Sequence, residues 1–148
     1  MTDYMQREDE VKKQPEFLQT LQEASCGDPV VFNALWSIMN FAHVFDDLID
    51  ETLWSNERKE QAAKALHDMT QDLLVNPFVR ENAAAFRVLL AQMIGRWLDG
   101  DAMEKRGDPL APAVRCGDTD FVIGVAHLAG GWSALRKLGS TRTYDTKG

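Results

Sequence analysis

The stretch Pro29–Leu53 constrains this chain more than any other, because it reads as one long helix with apolar residues round most of its circumference. Val31, Phe32, Leu35, Trp36, Ile38, Met39, Phe41, Val44, Phe45, Leu48 and Ile49 leave Asn33, Ser37, Asn40, His43, Asp47 and Asp50 as the polar exceptions. These six follow one another at intervals of four, three, three, four and three, so they form a single narrow stripe. A helix that is apolar over most of its surface must be buried among others. Its polar stripe then faces either water or an internal polar cleft. Asp28 before Pro29 supplies the start, since proline suits the first helical position.

The rest of the chain is also helical in pattern. Pro15–Ala24 makes a short helix with Phe17, Leu18 and Leu21 on one side, and Gly27-Asp28-Pro29 breaks the chain after it. Ser55–Val75 repeats Ala62, Leu66, Met69 and Leu73 at helical spacing and is otherwise polar, so it reads as an amphipathic surface helix. Asn76-Pro77 ends it and begins the next, Pro77–Asp99, whose core face is Phe86, Leu89, Leu90, Met93, Ile94 and Trp97. Gly100–Pro112 reads as a connection. The last helix, about Thr119–Leu138 with an earlier start near Ala113 left open, is almost wholly apolar. Gly124, Gly130 and Gly131 allow close backbone approach, and Gly139 closes the helix in a C-terminal capping role. No strand pattern or repeat is present. The expected fold is an all-α compact bundle of four to five main helices with a central apolar helix carrying an acidic stripe. Residues 15–139 form one domain in this reading, flanked by a flexible arm at 1–14 and a flexible tail at 140–148.

At 148 residues the chain is long enough to bury a real core, and 45% hydrophobic with 26% charged residues is ordinary for a globular protein. The net charge of −7 argues against nucleic acid, whose phosphates need clustered Lys and Arg. No apolar run reaches the roughly 18 residues of a membrane span, and a polar N-terminus excludes a secretory signal. Two cysteines, Cys26 and Cys116, make neither a disulfide framework nor a zinc motif, so a cytoplasmic protein with reduced thiols is expected.

Chemistry concentrates in Asn40–Glu51, which reads N-F-A-H-V-F-D-D-L-I-D-E and sets His43, Asp46, Asp47 and Asp50 within two helical turns. Three carboxylates this close repel one another unless water or a cation compensates them. They are therefore either a solvated acidic face or a site for a hard cation such as Mg²⁺ or Mn²⁺, with His43 as a supporting residue or base. Phosphate handling would also need cations, and Arg87, Arg96 and Arg115 lie on or near apolar segments. Their structural reading is pairing with Asp47, Asp50 or Asp118; their functional reading is a diphosphate clamp. Asp118 and Asp120 flank Thr119 at a helix start, where Asp118 or Thr119 would cap backbone N–H groups and Asp120 would favour the positive helix end. His127, inside an apolar helix, reads as a core histidine, and His67, Asp68 and Asp72 as ordinary surface polars.

Four resemblances attach to these residues. D-D-L-I-D at Asp46–Asp50 is similar to the aspartate-rich motif of class I isoprenoid synthases, which implies Asp46, Asp47 and Asp50 as Mg²⁺ ligands facing a prenyl diphosphate. Asp47, Asp50 and Glu51, set against His67, Asp68 and Asp72, resemble the paired acidic helices of all-α nucleotide pyrophosphatases, although the E-x-x-E pattern of that family is absent. G-D-T-D at Gly117–Asp120, before a glycine-rich apolar helix, is similar to a segment of ADP-ribosylglycohydrolases. The overall layout resembles small helical proteins of unknown function from bacteriophages and prophages. The segments that carry this last likeness are Trp36–Asn40, Asp46–Asp50, Asn76–Phe78, Arg96-Trp97 and Val125–Trp132.

Two functions stay open at this stage. One is divalent-metal binding by Asp46, Asp47 and Asp50, with Mg²⁺-dependent phosphate or diphosphate chemistry. The other is a non-enzymatic accessory or interaction protein, whose apolar helices pack internally or in a homo-oligomer. A buried, mutually facing acid cluster beside arginine favours the first; acids in bulk solvent with an apolar patch elsewhere favour the second.

Overall fold

The computed structural model describes residues 15–141. The expected arm at 1–14, and the expected tail from 142 on, lie outside the described residues. The elements are α1 (Pro15–Ala24), α2 (Pro29–Asp50), α3 (Asn56–Val75), α4 (Pro77–Glu81), α5 (Ala83–Lys105), α6 (Ala111–Val114) and α7 (Gly117–Thr141). Among the described residues there is no strand, and the fold is all-α as expected.

The chain divides into two compact units. The first holds α2, α3, α4 and residues up to Gln22; the second holds Glu23–Cys26 and everything from Asn82.

In the first unit, α2 begins where Asp28 Oδ1 accepts the Val30 N–H at 2.9 Å, with Pro29 in the first turn. It packs against α3 and α4. Val31, Ala34, Leu35, Trp36, Ile38 and Met39 are buried, so the central apolar helix is as read from its pattern. The polar stripe serves both of its expected environments. Ser37 is fully buried and donates to the Ala34 carbonyl at 3.2 Å, whereas Asp47 and Asp50 at the far end stand in solvent. The helix stops at Asp50, three residues before the expected end, where Glu51 turns extended and its N–H reaches Leu48 O. The Trp54 indole also donates to Leu48 O, at 3.1 Å.

Ser55 caps α3 by accepting the Arg58 N–H at 3.1 Å. Its buried face is turned from the expected one. Ala65, Asp68 and Asp72 are buried, Ala62, Met69 and Leu73 are half-buried, and Leu66 is about half exposed. Asn76 ends α3 and is itself buried; its Oδ1 accepts the N–H groups of Phe78 and Val79, and its Nδ2 donates to Val30 O at 2.9 Å. One side chain thus caps α4 and ties it to the first turn of α2.

In the second unit, α5 packs against α6 and α7, and Phe86 meets Phe121 edge-on at 6.0 Å. The expected single helix Pro77–Asp99 is broken at Asn82 (φ −116°, ψ 28°). It then continues past Asp99 to Lys105, through a segment expected to be a connection. Gly100 is buried, and a Cβ there would fall 2.3 Å from Arg115 Cγ and 3.2 Å from its backbone N. The glycine therefore lets the chain return close by rather than breaking the helix. The stop is Gly107, at φ +75°: its N–H reaches Glu104 O and the Asp108 N–H reaches Met103 O, the paired bonds of a glycine-closed helix end. Helix α7 passes straight through Gly139 and breaks instead at Gly131 (φ 75°, ψ −160°). His127, expected in the core, is exposed.

Candidate functional site

The acidic end of α2 sits at the negative pole of its helix dipole, where three carboxylates are least welcome and no basic residue lies in the last turn. The compensating charge comes from α3. Arg58 places Nη2 2.9 Å from Glu51 Oε1 and 3.3 Å from Asp47 Oδ2, and its Nη1 donates to Gln61 at 2.6 Å. The hydrogen bond to Glu51, followed by its charge and by the Asp47 carboxylate, raises the Arg58 pKa further above its ordinary value. Asp47 and Asp50 are exposed and Asp46 half-buried. Asp50 makes no ion pair among the described residues. Among the described residues no three His, Cys, Asp or Glu side chains converge as a metal ion would need.

His43 does not join the acids. It is half-buried, with its ring 4.8 Å from that of Phe17, and no hydrogen bond or ion pair among the described residues links it to Asp47. The alternative acidic set on α3 also divides. Asp68 and Asp72, read as surface polars, are only 8% and 9% exposed, while His67 is exposed with Nδ1 3.1 Å from Asp68 Oδ1. Carboxylates are buried only when partnered, and both have partners here. The sequence held a signal for this: Ala65, Asp68, Asp72 and Asn76 fall on one face at intervals of three, four and four.

Two of the three arginines take structural partners, though not the expected ones. Arg96 pairs with Asp120 and donates to the Ala113 carbonyl at 2.8 Å; Arg115 pairs with Glu104. Asp118, expected as a cap, lies inside the first turn of α7 and accepts the N–H of its neighbour Thr119 at 2.8 Å. Arg87 is exposed, with no hydrogen bond or ion pair among the described residues.

A groove of about 420 Å³ between α5 and α7 is lined by Leu89, Gln92, Gly95, Arg96, Asp99, Gly117, Asp120 and Phe121. Gly117 and Gly124 bring the helices close, since a Cβ would lie 3.0 Å from Arg96 Cβ at the first and 2.7 Å from Leu89 Cδ2 at the second. The single cation in this groove is already bound by Asp120, so it is not free to clamp a phosphate.

Beside the acidic end of α2 lies an apolar surface, two of whose residues, Phe45 and Ile49, were expected on the buried circumference of that helix. Phe45 and Ile49, one turn apart, are about half exposed, Trp54 likewise, and Leu53 is 89% exposed. Phe45 stacks on Phe41, which backs it from the interior at 5.8 Å. Comparison with known protein families, curated proteins and solved structures finds no match.

Proposed function

We propose that this chain is a non-enzymatic protein-interaction module that docks a partner on the acidic, apolar end of α2. The observation that carries the reading is the exposure of Phe45, Ile49, Leu53 and Trp54 beside Asp46, Asp47 and Asp50. Contiguous exposed apolar side chains rimmed by charge mark interaction surfaces. Aromatic residues such as Phe and Trp anchor such surfaces well. The acids at the rim fit a partner segment that is amphipathic and flanked by Lys or Arg. Retaining Asp50 unpaired at the negative end of a helix costs stability, which is expected where the charge serves recognition.

The metal reading draws less support. Two of its three ligands, Asp47 and Asp50, are exposed, one of these is paired with Arg58, and among the described residues no such group converges. The test is selection of displayed amphipathic peptides against the wild type and an Ile49→Glu/Leu53→Glu variant. The expected result is enrichment, on the wild type alone, of peptides with helically spaced apolar residues and basic flanks. Equal enrichment on both proteins contradicts the reading, as does hydrolysis of a nucleotide or prenyl diphosphate that depends on Mg²⁺ and on Asp47.

A further inference from the structure

Helix α5 is apolar on two faces, and the second unit uses only one. Phe86, Leu89 and Met93 turn to the side where α7 lies. On the other side, Ala84, Val88, Ala91, Gly95, Leu98 and Ala102 follow one another at intervals of four, three, four, three and four. That alternation is the heptad seam of a coiled coil. Val88, Leu98 and the flanking Ile94 are each 55% exposed; Ala84, Ala91 and Ala102 are exposed; and a Cβ at Gly95 would meet nothing within 4 Å.

We infer that this face binds a second copy of the same helix, antiparallel, about a two-fold axis beside Ile94. The charges select both the partner and its direction. In an antiparallel pair Ala84 lies across from Ala102 of the second copy, Val88 from Leu98 and Ala91 from Gly95. The two large pairs then bracket a centre of small residues, where the backbones can approach. One flank sets Arg87 across from Asp101 of the second copy, twice by symmetry, with Ile94 meeting its own equivalent between them. The other flank sets Gln92 against Gln92. Arg87, which has no partner among the described residues, gains one, and Asp101 keeps its 2.9 Å pair with Lys105 on its own helix. A parallel pair would instead leave Arg87 facing Gln92 and Asp99 facing Ile94. The same patch serves both copies, as a closed two-fold interface requires. The seam runs for about 27 Å. A single helix pair of that length sits at the small end of specific interfaces, so the dimer is concentration-dependent.

The experiment is sedimentation equilibrium of the full chain across a hundredfold range of concentration. Helix content is checked for every variant, all at exposed or half-exposed positions. The wild type should pass from monomer to dimer within the range. Ala91→Glu should stay monomeric. Arg87→Glu and Asp101→Arg should each weaken the dimer about tenfold, and the two together should restore it, which a merely apolar contact or another register would not do. A wild type that stays monomeric throughout overturns the inference and leaves the face to a different protein. A dimer that survives Ala91→Glu, or single variants that the double variant fails to rescue, overturns it as well. Because Ile49 on α2 and Leu53 in the turn after it lie away from α5, their double variant should dimerise as the wild type does, so failure here is distinct from failure of the proposed function.

Discussion

Arg58 reaches across the turn between α2 and α3 to Glu51 and Asp47, and so decides how the acidic helix end is held. Repulsion between Asp47 and Glu51, and with the helix dipole, is relieved by a cation of the chain itself. Asp50 lies outside that pairing. Asp50→Asn should therefore leave stability unchanged or raise it by about 0.3–1 kcal/mol, read from urea unfolding midpoints. Millimolar Mg²⁺ or Mn²⁺ should not shift the thermal midpoint of the wild type; a rise that disappears in Asp47→Asn would show a folded-state metal site instead. Asn76 is the opposite case, a buried amide using both of its ends. Asn76→Ala should lower stability by about 1–3 kcal/mol in the same unfolding assay. The acids of Asn40–Glu51 were legible in the sequence, but Arg58 was not. It is seven residues from Glu51 in the chain, and only the turn at Glu51–Ser55 brings the two together.

Helix ends separate what the pattern of residues reveals from what tertiary packing decides. The starts of α2 and α3 follow from Asp28, Pro29 and Ser55, whose local hydrogen bonds are fixed by neighbours in the chain. Gly100 and Gly139 are helix-stop signals by composition, yet both lie inside helices. Gly100 is there because Arg115 passes so close. Gly100→Ala should destabilise by about 1–3 kcal/mol although alanine is the better helix former, because its methyl group meets Arg115 backbone as well as side chain. Gly131 has the complementary role. Its backbone lies in a region essentially confined to glycine, and open space surrounds it. Gly131→Ala should cost about 1–3 kcal/mol through strain alone, without any clash. Equal stability of this variant and the wild type would mean that α7 straightens there at no cost. The buried face of α3 was partly misread for a related reason: a periodicity count favours Leu66 over Asp68 and Asp72, and cannot see that the acids find partners.

At the scale of the whole molecule, apolar residues exceed what each unit buries. The sequence showed an all-α fold with a central apolar helix, but it counted Phe45 and Ile49 on that helix's buried surface and left Leu53, Val88 and Leu98 unplaced, since periodicity marks an apolar face without saying what covers it. In the structure these side chains are exposed at the end of α2, in the turn that follows it and on α5. One face carries acids at its rim, and the other carries an arginine and an aspartate spaced for its own image. The most direct measurement is calorimetric titration of a basic-flanked amphipathic peptide, recovered by selection, into the wild type and into Ile49→Glu/Leu53→Glu. The predicted result is wild-type binding with a negative heat-capacity change, the mark of apolar burial, unaltered by Mg²⁺ and lost in the variant. Binding that survives in the variant, or that requires Mg²⁺, would contradict the assignment of the α2 end as a protein-docking surface.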